Sequence, residues 1–253
     1  PYSWPNGLGD GRSLSDGLVV DRFDIPKLEN GTPVGWYEYQ FAKANRTEYT
    51  IVPFEQSTNE EGVSYPGNYV LKAEADSASS LLGKKLSVNL REYPILCWRW
   101  KIEGIIERAD AHTKEKRDFP ARVYVAVKPK EGFNPFRSLA RSVRDSVAGV
   151  PVPKATITFA WSSKYKAGYV IENPWSSTTH DVVIEGGEAH AGKWIDVQVN
   201  VLEYYNRFFP GGPAEVEGVA IMTDTDNTQS QAVAYYDDLV FTQMERDVQT
   251  SSN

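Results

Sequence analysis

Asp224, Asp226 and Asn227 crowd the break between two apolar runs in IMTDTDNTQSQAVAYYDDLVF (Ile221–Phe241). Oxygen donors at that spacing suit three kinds of chemistry. Two residues apart on a straight strand, Asp224 and Asp226 share a face and could act as the paired carboxyls of a carbohydrate-active enzyme. Asp and Asn oxygens also suit a hard cation such as calcium, although the glycine and distal Glu of an EF-hand loop are missing. The third reading is a turn closing a hairpin, because Asp and Asn side chains cap turns through nearby backbone.

Two arginines bear on the choice. Arg99 alternates with tryptophans in ILCWRWKI (Ile95–Ile102), and Arg122 alternates with valines in ARVYVAV (Ala121–Val127). A charge within a sheet is costly unless paired, and a guanidinium fork matches a carboxylate, so Asp224 or Asp226 are the expected partners. One outcome is an ion-pair network that fixes strand register. The other is a polar groove suited to a glycan, with Arg99, Arg122, Tyr124, Asp224, Asp226 and Asn227 as its ligand-binding set. Trp98 and Trp100 lie opposite Arg99, so a groove lined by Arg99 needs a stacking platform from elsewhere, Trp175 or Trp36. His112, His180 and His190 all fall in loop-like polar contexts. No GxSxG, HExxH or phosphate-cradling glycine loop is present.

The elements that must carry these residues read as short alternating strands. Leu96, Trp98, Trp100 and Ile102 share one face. Val123, Val125 and Val127 do the same, as do Ile157, Phe159 and Trp161 in ATITFAW, and Ile195, Val197, Val199 and Val201 in WIDVQVNV. One face buried and one wet is the pattern of an antiparallel sheet. Asn134–Pro153 breaks the rhythm with a helical apolar spacing, and Phe136, Arg137, Arg141 and Arg144 there suggest contact with an anionic membrane surface or an acidic partner. Asn200–Pro213 runs from a strand into a helical turn. The expected organisation is an extended N-terminal arm over residues 1–17, one mostly β domain over 18–243, and a flexible tail over 244–253.

Composition removes several classes. A net charge of −7 argues against nucleic acid as a general partner, since phosphate binding needs a basic face. Cys97 is the single cysteine, which excludes an internal disulfide and any CxxC metal module, and its setting is that of a small buried hydrophobe. No apolar run approaches the ~20 residues of a membrane-spanning helix. The 7 Trp and 14 Tyr supply both a β-rich core and the flat rings that stack on sugars.

Three blocks together resemble the bacterial domain-of-unknown-function family numbered 3047: YPILCWRWKI, RADAHTKEKRDFPARVYVAV, and GKWIDVQVNVLEYYNRFF followed by GVAIMTDTDNTQSQAVAYYDDLVF. The similarity covers roughly Leu18 to Phe241. It departs from the family where a paired acidic motif is replaced by Arg117–Asp118, and in the Asn134–Pro153 elaboration. The resemblance implies a jelly-roll, lectin-like antiparallel β-sandwich in an extracytoplasmic setting, periplasmic or secreted. It further suggests a structural calcium between an early strand and the last one, with Asp21 or Asp24 meeting Asp237 or Asp238. Two functions remain open: a non-catalytic accessory protein that binds a glycan or docks on a cell-envelope protein complex, and a carbohydrate-active hydrolase or lyase working through Asp224 and Asp226.

Overall fold

Period-two patterning decides what the sheets bury, and the structure, a computed structural model, follows it. It describes residues 17–29, 31–41, 44–54, 69–131, 155–173 and 176–243. The expected tail, the arm up to residue 16, and the Asn134–Pro153 helix with Phe136, Arg137, Arg141 and Arg144 lie outside the described residues.

The chain runs β1 (Leu18–Asp21), β2 (Leu28–Glu29), β3 (Thr32–Pro33), β4 (Tyr37–Gln40), β5 (Glu48–Pro53), β6 (Tyr69–Asp76), β7 (Ser79–Asn89) and β8 (Ile95–Ile102). It continues through β9 (Phe119–Val127), β10 (Ala155–Ser162), β11 (Val170–Glu172), β12 (Thr179–Gly186), β13 (Ile195–Asn200), α1 (Val201–Phe208), β14 (Glu215–Asp224) and β15 (Gln231–Thr242). One sheet has the order β13-β8-β15-β6-β5, with β1 also on β15, and the other β11-β12-β10-β9-β14-β7-β4. β6 and β1 share one edge of β15 end to end, at Gln231–Tyr236 and at Leu239–Phe241. Every described pairing of named strands is antiparallel except β10 with β12.

From β6 to β9, and again from β13 to β15, each strand lies in the sheet opposite its predecessor. That is the expected jelly-roll course. The inward faces meet in one core: Trp98 and Trp100 of the six-stranded sheet approach Phe159 and Trp161 of the seven-stranded sheet at 5.7 and 5.8 Å between centroids. All four rings are fully buried. The inward sets read from alternation are the observed ones. Cys97 is buried on the outer side of its sheet with Ile95 and Val240.

α1 begins where Asn200 Oδ1 accepts a hydrogen bond from the Glu203 amide, satisfying one orphan helix-start donor, while Asn200 Nδ2 donates to the Glu203 carboxylate. It closes one end of the sandwich through buried Tyr205, whose hydroxyl donates to the Lys128 carbonyl.

Ile221–Phe241 is not a hairpin. β14 pairs with β7 and β9, whereas β15 pairs with β6 and β8 in the other sheet. The connection must span the roughly 10 Å between stacked sheets, so it is an arch. Its backbone bonds go to the β6–β7 connection: the Thr225 amide donates to Ala78 and the Ser77 amide to Ser230.

Candidate functional site

Alternation on β14 turns Val219 and Ile221 to the core and Ala220, Met222 and Asp224 to the outer face of the seven-stranded sheet. Arg122 stands opposite Met222 on β9, with its Nη2 2.6 Å from Asp224 Oδ1 and 3.2 Å from Met222 Sδ. The Phe119 ring lies 4.6 Å from the guanidinium, and the Phe119 amide donates to Asp224 Oδ1 at 3.2 Å. Both charged partners are buried. Burial pushes the Asp224 carboxyl up to about 7, with Asp118 and Asp226 adding to it against the pull of Arg122. Burial works against the Arg122 charge too, yet Asp224 and its neighbours hold it above its ordinary value.

Asp118 explains the rest of the acidic cluster. It accepts from the Thr228 amide at 2.7 Å, the Thr228 hydroxyl at 2.5 Å, the Asn227 amide at 3.2 Å and Asn227 Nδ2 at 2.9 Å. One buried carboxylate thus organises the β14–β15 arch. Asp226 is only half-buried, and burial together with Asp118 raises its carboxyl. Beside this network, Arg117 bonds Asp181 and the Ala111 carbonyl with all but a trace of its surface covered.

Asp118, Asp224 and Asp226 each bring one carboxylate oxygen within 4.8 Å of the other two, an acidic group among the described residues. Its donors fit calcium poorly: Asp118 already accepts four hydrogen bonds, and Asp224 faces a guanidinium. The set expected from the resemblance fits no better. Asp21 is engaged by Lys84 Nζ at 2.9 Å and Trp36 Nε1 at 2.8 Å, and Arg22 reaches Asp238 at 3.3 Å. Asp237 and Asp238 sit at an irregularity of β15, where burial and their mutual repulsion raise Asp237 well above the carboxylate range. Asp24 is raised by burial first and then by Asp238.

Arg99 belongs to a different surface. It faces outward from the six-stranded sheet, on the far side of the sandwich from Arg122, so the two arginines do not line one groove. Asp196 lies opposite it on β13 at 3.8 Å and Asp237 opposite it on β15. Its guanidinium sits 4.8 Å from the Trp194 ring and 5.2 Å from Phe54. Next along β8, Lys101 Nζ is 4.4 Å from the Tyr235 centroid and 3.1 Å from Glu103. Trp194 and Tyr235 lie 6.2 Å apart and Phe54 meets Trp194 edge to face at 5.5 Å. These rings, with Val52, Val70, Lys72 and Lys101, line an open groove of about 290 Å³.

Trp194, Tyr235 and Lys101 were not singled out by the sequence. The detectable signal was the alternation itself, because Lys101 shares the outer face with Arg99. Trp194 gives less warning, standing one residue before β13. Of the expected platforms, Trp36 is buried in the core and Trp175 lies outside the described residues. His180 is a correction: it sits within β12, stacked on Phe208 at 4.2 Å, and burial lowers it.

Fold and surface together define an antiparallel β-sandwich with an aromatic, ion-paired groove on one outer face. The chain belongs to the family described as Protein of unknown function (DUF3047), whose model matches residues 34–240. The sequence has no significant match among curated proteins. Among solved structures, the xyloglucanase domain of NopAA, a type three effector from Sinorhizobium fredii, is 9% identical, with 85% of this chain and 100% of that chain covered at a TM-score of 0.42. The family 11 carbohydrate-binding module of cellulase Lic26A-Cel5E from Clostridium thermocellum is 9% identical over 93% of this chain and 99% of that one, at 0.39. TmCBM61, solved with β-1,4-galactotriose, is 10% identical over 87% and 95%, at 0.35.

Proposed function

We propose that this chain is a non-catalytic glycan-binding protein whose recognition surface is the outer face of the six-stranded sheet. The observation that carries the reading is the half-exposed Trp194–Tyr235 pair flanking Lys101. Aromatic faces take the apolar C–H faces of sugar rings, and a few placed polar groups fix orientation. What supports a non-catalytic role is how the carboxyls are used. Asp224 is 2% exposed and faces Arg122, and Asp118 is spent on the arch. An extracytoplasmic setting goes with this reading and rests on the sequence resemblance. Replacing Trp194 with Ala and measuring oligosaccharide affinity tests it: loss of binding at unchanged stability supports the site, and unchanged binding removes it.

A second reading, docking on a protein complex of the cell envelope, is favoured by a separate surface. Ile25 is 72% exposed, Val19 51%, Leu28 46% and Val34 45%, all in the stretch from β1 to the residue that follows β3. Val19, Ile25 and Val34 rim a cleft of about 520 Å³. Exposed apolar groups gathered in one region mark interaction sites more often than scattered ones do. Changing Ile25 and Val34 together to Ser and following co-purification from the native host separates the two readings, since the sugar groove is untouched.

A further inference from the structure

Register arranges the outer face of the six-stranded sheet in bands perpendicular to the strands. Tyr235 of β15 faces Lys101 of β8 on one side and Lys72 of β6 on the other, and Lys72 faces Thr50 of β5. Trp194 precedes Ile195, the partner of Trp100, and so opens the same band at its β13 end. The band therefore reads Trp194, Lys101, Tyr235, Lys72, Thr50. Two residues along lies an acidic band. Val233 receives the Glu103 amide and faces Glu74, which faces Glu48. On the other flank are Asp196, Arg99 and Asp237.

Each cation in the aromatic band has its carboxylate in the next. Lys101 Nζ is 3.1 Å from Glu103 and Lys72 Nζ is 2.8 Å from Glu74, both Glu side chains being more than 40% exposed. Arg99 has Asp196. The face carries no surplus of positive charge, and the whole chain is at −7. An anionic polymer approaching it would meet carboxylates beside every cation, and its association would not be steered. Adjacent Lys–Glu pairs instead present a donor and an acceptor side by side, which matches neighbouring sugar hydroxyls.

Resting on the reading of this face as a glycan site, we propose that its ligand is an uncharged oligosaccharide laid across the strands. From Trp194 to Thr50 the band crosses four inter-strand gaps of about 4.8 Å, roughly 19 Å in all. That is several pyranose rings long, so a chain is bound better than a single sugar.

The test titrates the full chain with neutral glucan, galactan and xylan oligosaccharides of graded length. Polygalacturonate and alginate fragments of matching length are titrated beside them, at low and at high salt. The expected result is binding of at least one neutral series, with affinity rising about tenfold from disaccharide to tetrasaccharide and little salt dependence, and with Glu103→Gln weakening it severalfold. Preferred binding of the uronate fragments, abolished by salt and by Trp194→Ala, would overturn the uncharged class and leave the site standing. If no series binds and the tryptophan fluorescence of the chain is unmoved throughout, the site itself falls and this inference falls with it.

Discussion

Arg122 Nη2 meets Asp224 Oδ1 at 2.6 Å with 8% and 3% of the two side chains exposed. A buried pair of this kind costs desolvation on both sides, and removing one partner leaves the other charge uncompensated. Arg122→Met, which leaves the ionised Asp224 carboxylate buried without its cation, is therefore expected to lose about 3 kcal/mol at mildly alkaline pH, measured by urea denaturation, with sugar affinity unchanged. The double change of Arg122→Met with Asp224→Leu should recover most of that loss, because two apolar side chains need no partner. A loss of sugar affinity in the stable double variant would instead place this pair in the binding machinery.

Asp118 should matter more to stability than Asp226, although the two look alike in sequence. Asp118→Ala orphans two backbone amides of the arch and is expected to cost about 3 kcal/mol. Asp226→Ala, at a half-buried position, should cost less than about 1 kcal/mol. Thermal melts of the two variants decide this, and equal losses would contradict the assignment of the arch to Asp118.

The buried carboxyls set an unusual pH dependence. Asp24, Asp196, Asp224, Asp226, Asp237 and Asp238 are all raised, in each case with burial as the largest cause. A raised acid holds its proton in the folded state where the unfolded chain has released it. Its contribution is then present at low pH and lost as pH rises through the folded value. For Asp224 the window runs from its ordinary 3.8 to about 7. Asp110, lowered to about 2 chiefly by its hydrogen bond from Lys164, acts in the opposite direction at lower pH. The melting temperature should fall between about pH 4 and pH 7, and less steeply in Asp224→Asn. A melting temperature that climbs across that range would refute the account.

Trp98 and Trp194 separate core from surface. Trp98→Ala removes a fully buried ring packed on Phe159 and should cost about 4 kcal/mol. Trp194→Ala removes a half-exposed ring and should shift stability by about 1 kcal/mol. Similar losses from both would make Trp194 a structural residue.

What the sequence disclosed follows from period two. Leu96, Trp98, Trp100 and Ile102 against Cys97, Arg99 and Lys101 is readable because neighbouring side chains point to opposite faces, and the mostly β sandwich followed from several such runs. Alternation says inward or outward and not which sheet. Arg99 and Arg122 therefore looked like neighbours while lying on opposite outer faces. The same ambiguity made Ile221–Phe241 look like a hairpin, since a turn-rich break serves a hairpin and an arch equally. The Arg122–Asp224 partnership was legible from the cost of burying either charge alone. Asp118 was not, because its role depends on an arch more than 100 residues away in sequence. Trp194 escaped because its band exists only once β13 is registered against β8.

The most direct measurement is calorimetric titration of wild-type protein, Trp194→Ala and Tyr235→Ala with neutral oligosaccharides, each variant's melting temperature being taken beside it. Wild-type binding that falls at least tenfold in both variants, with melting temperatures little changed, is the predicted result. Binding that survives both substitutions in folded protein would contradict the claim that this face recognises a glycan.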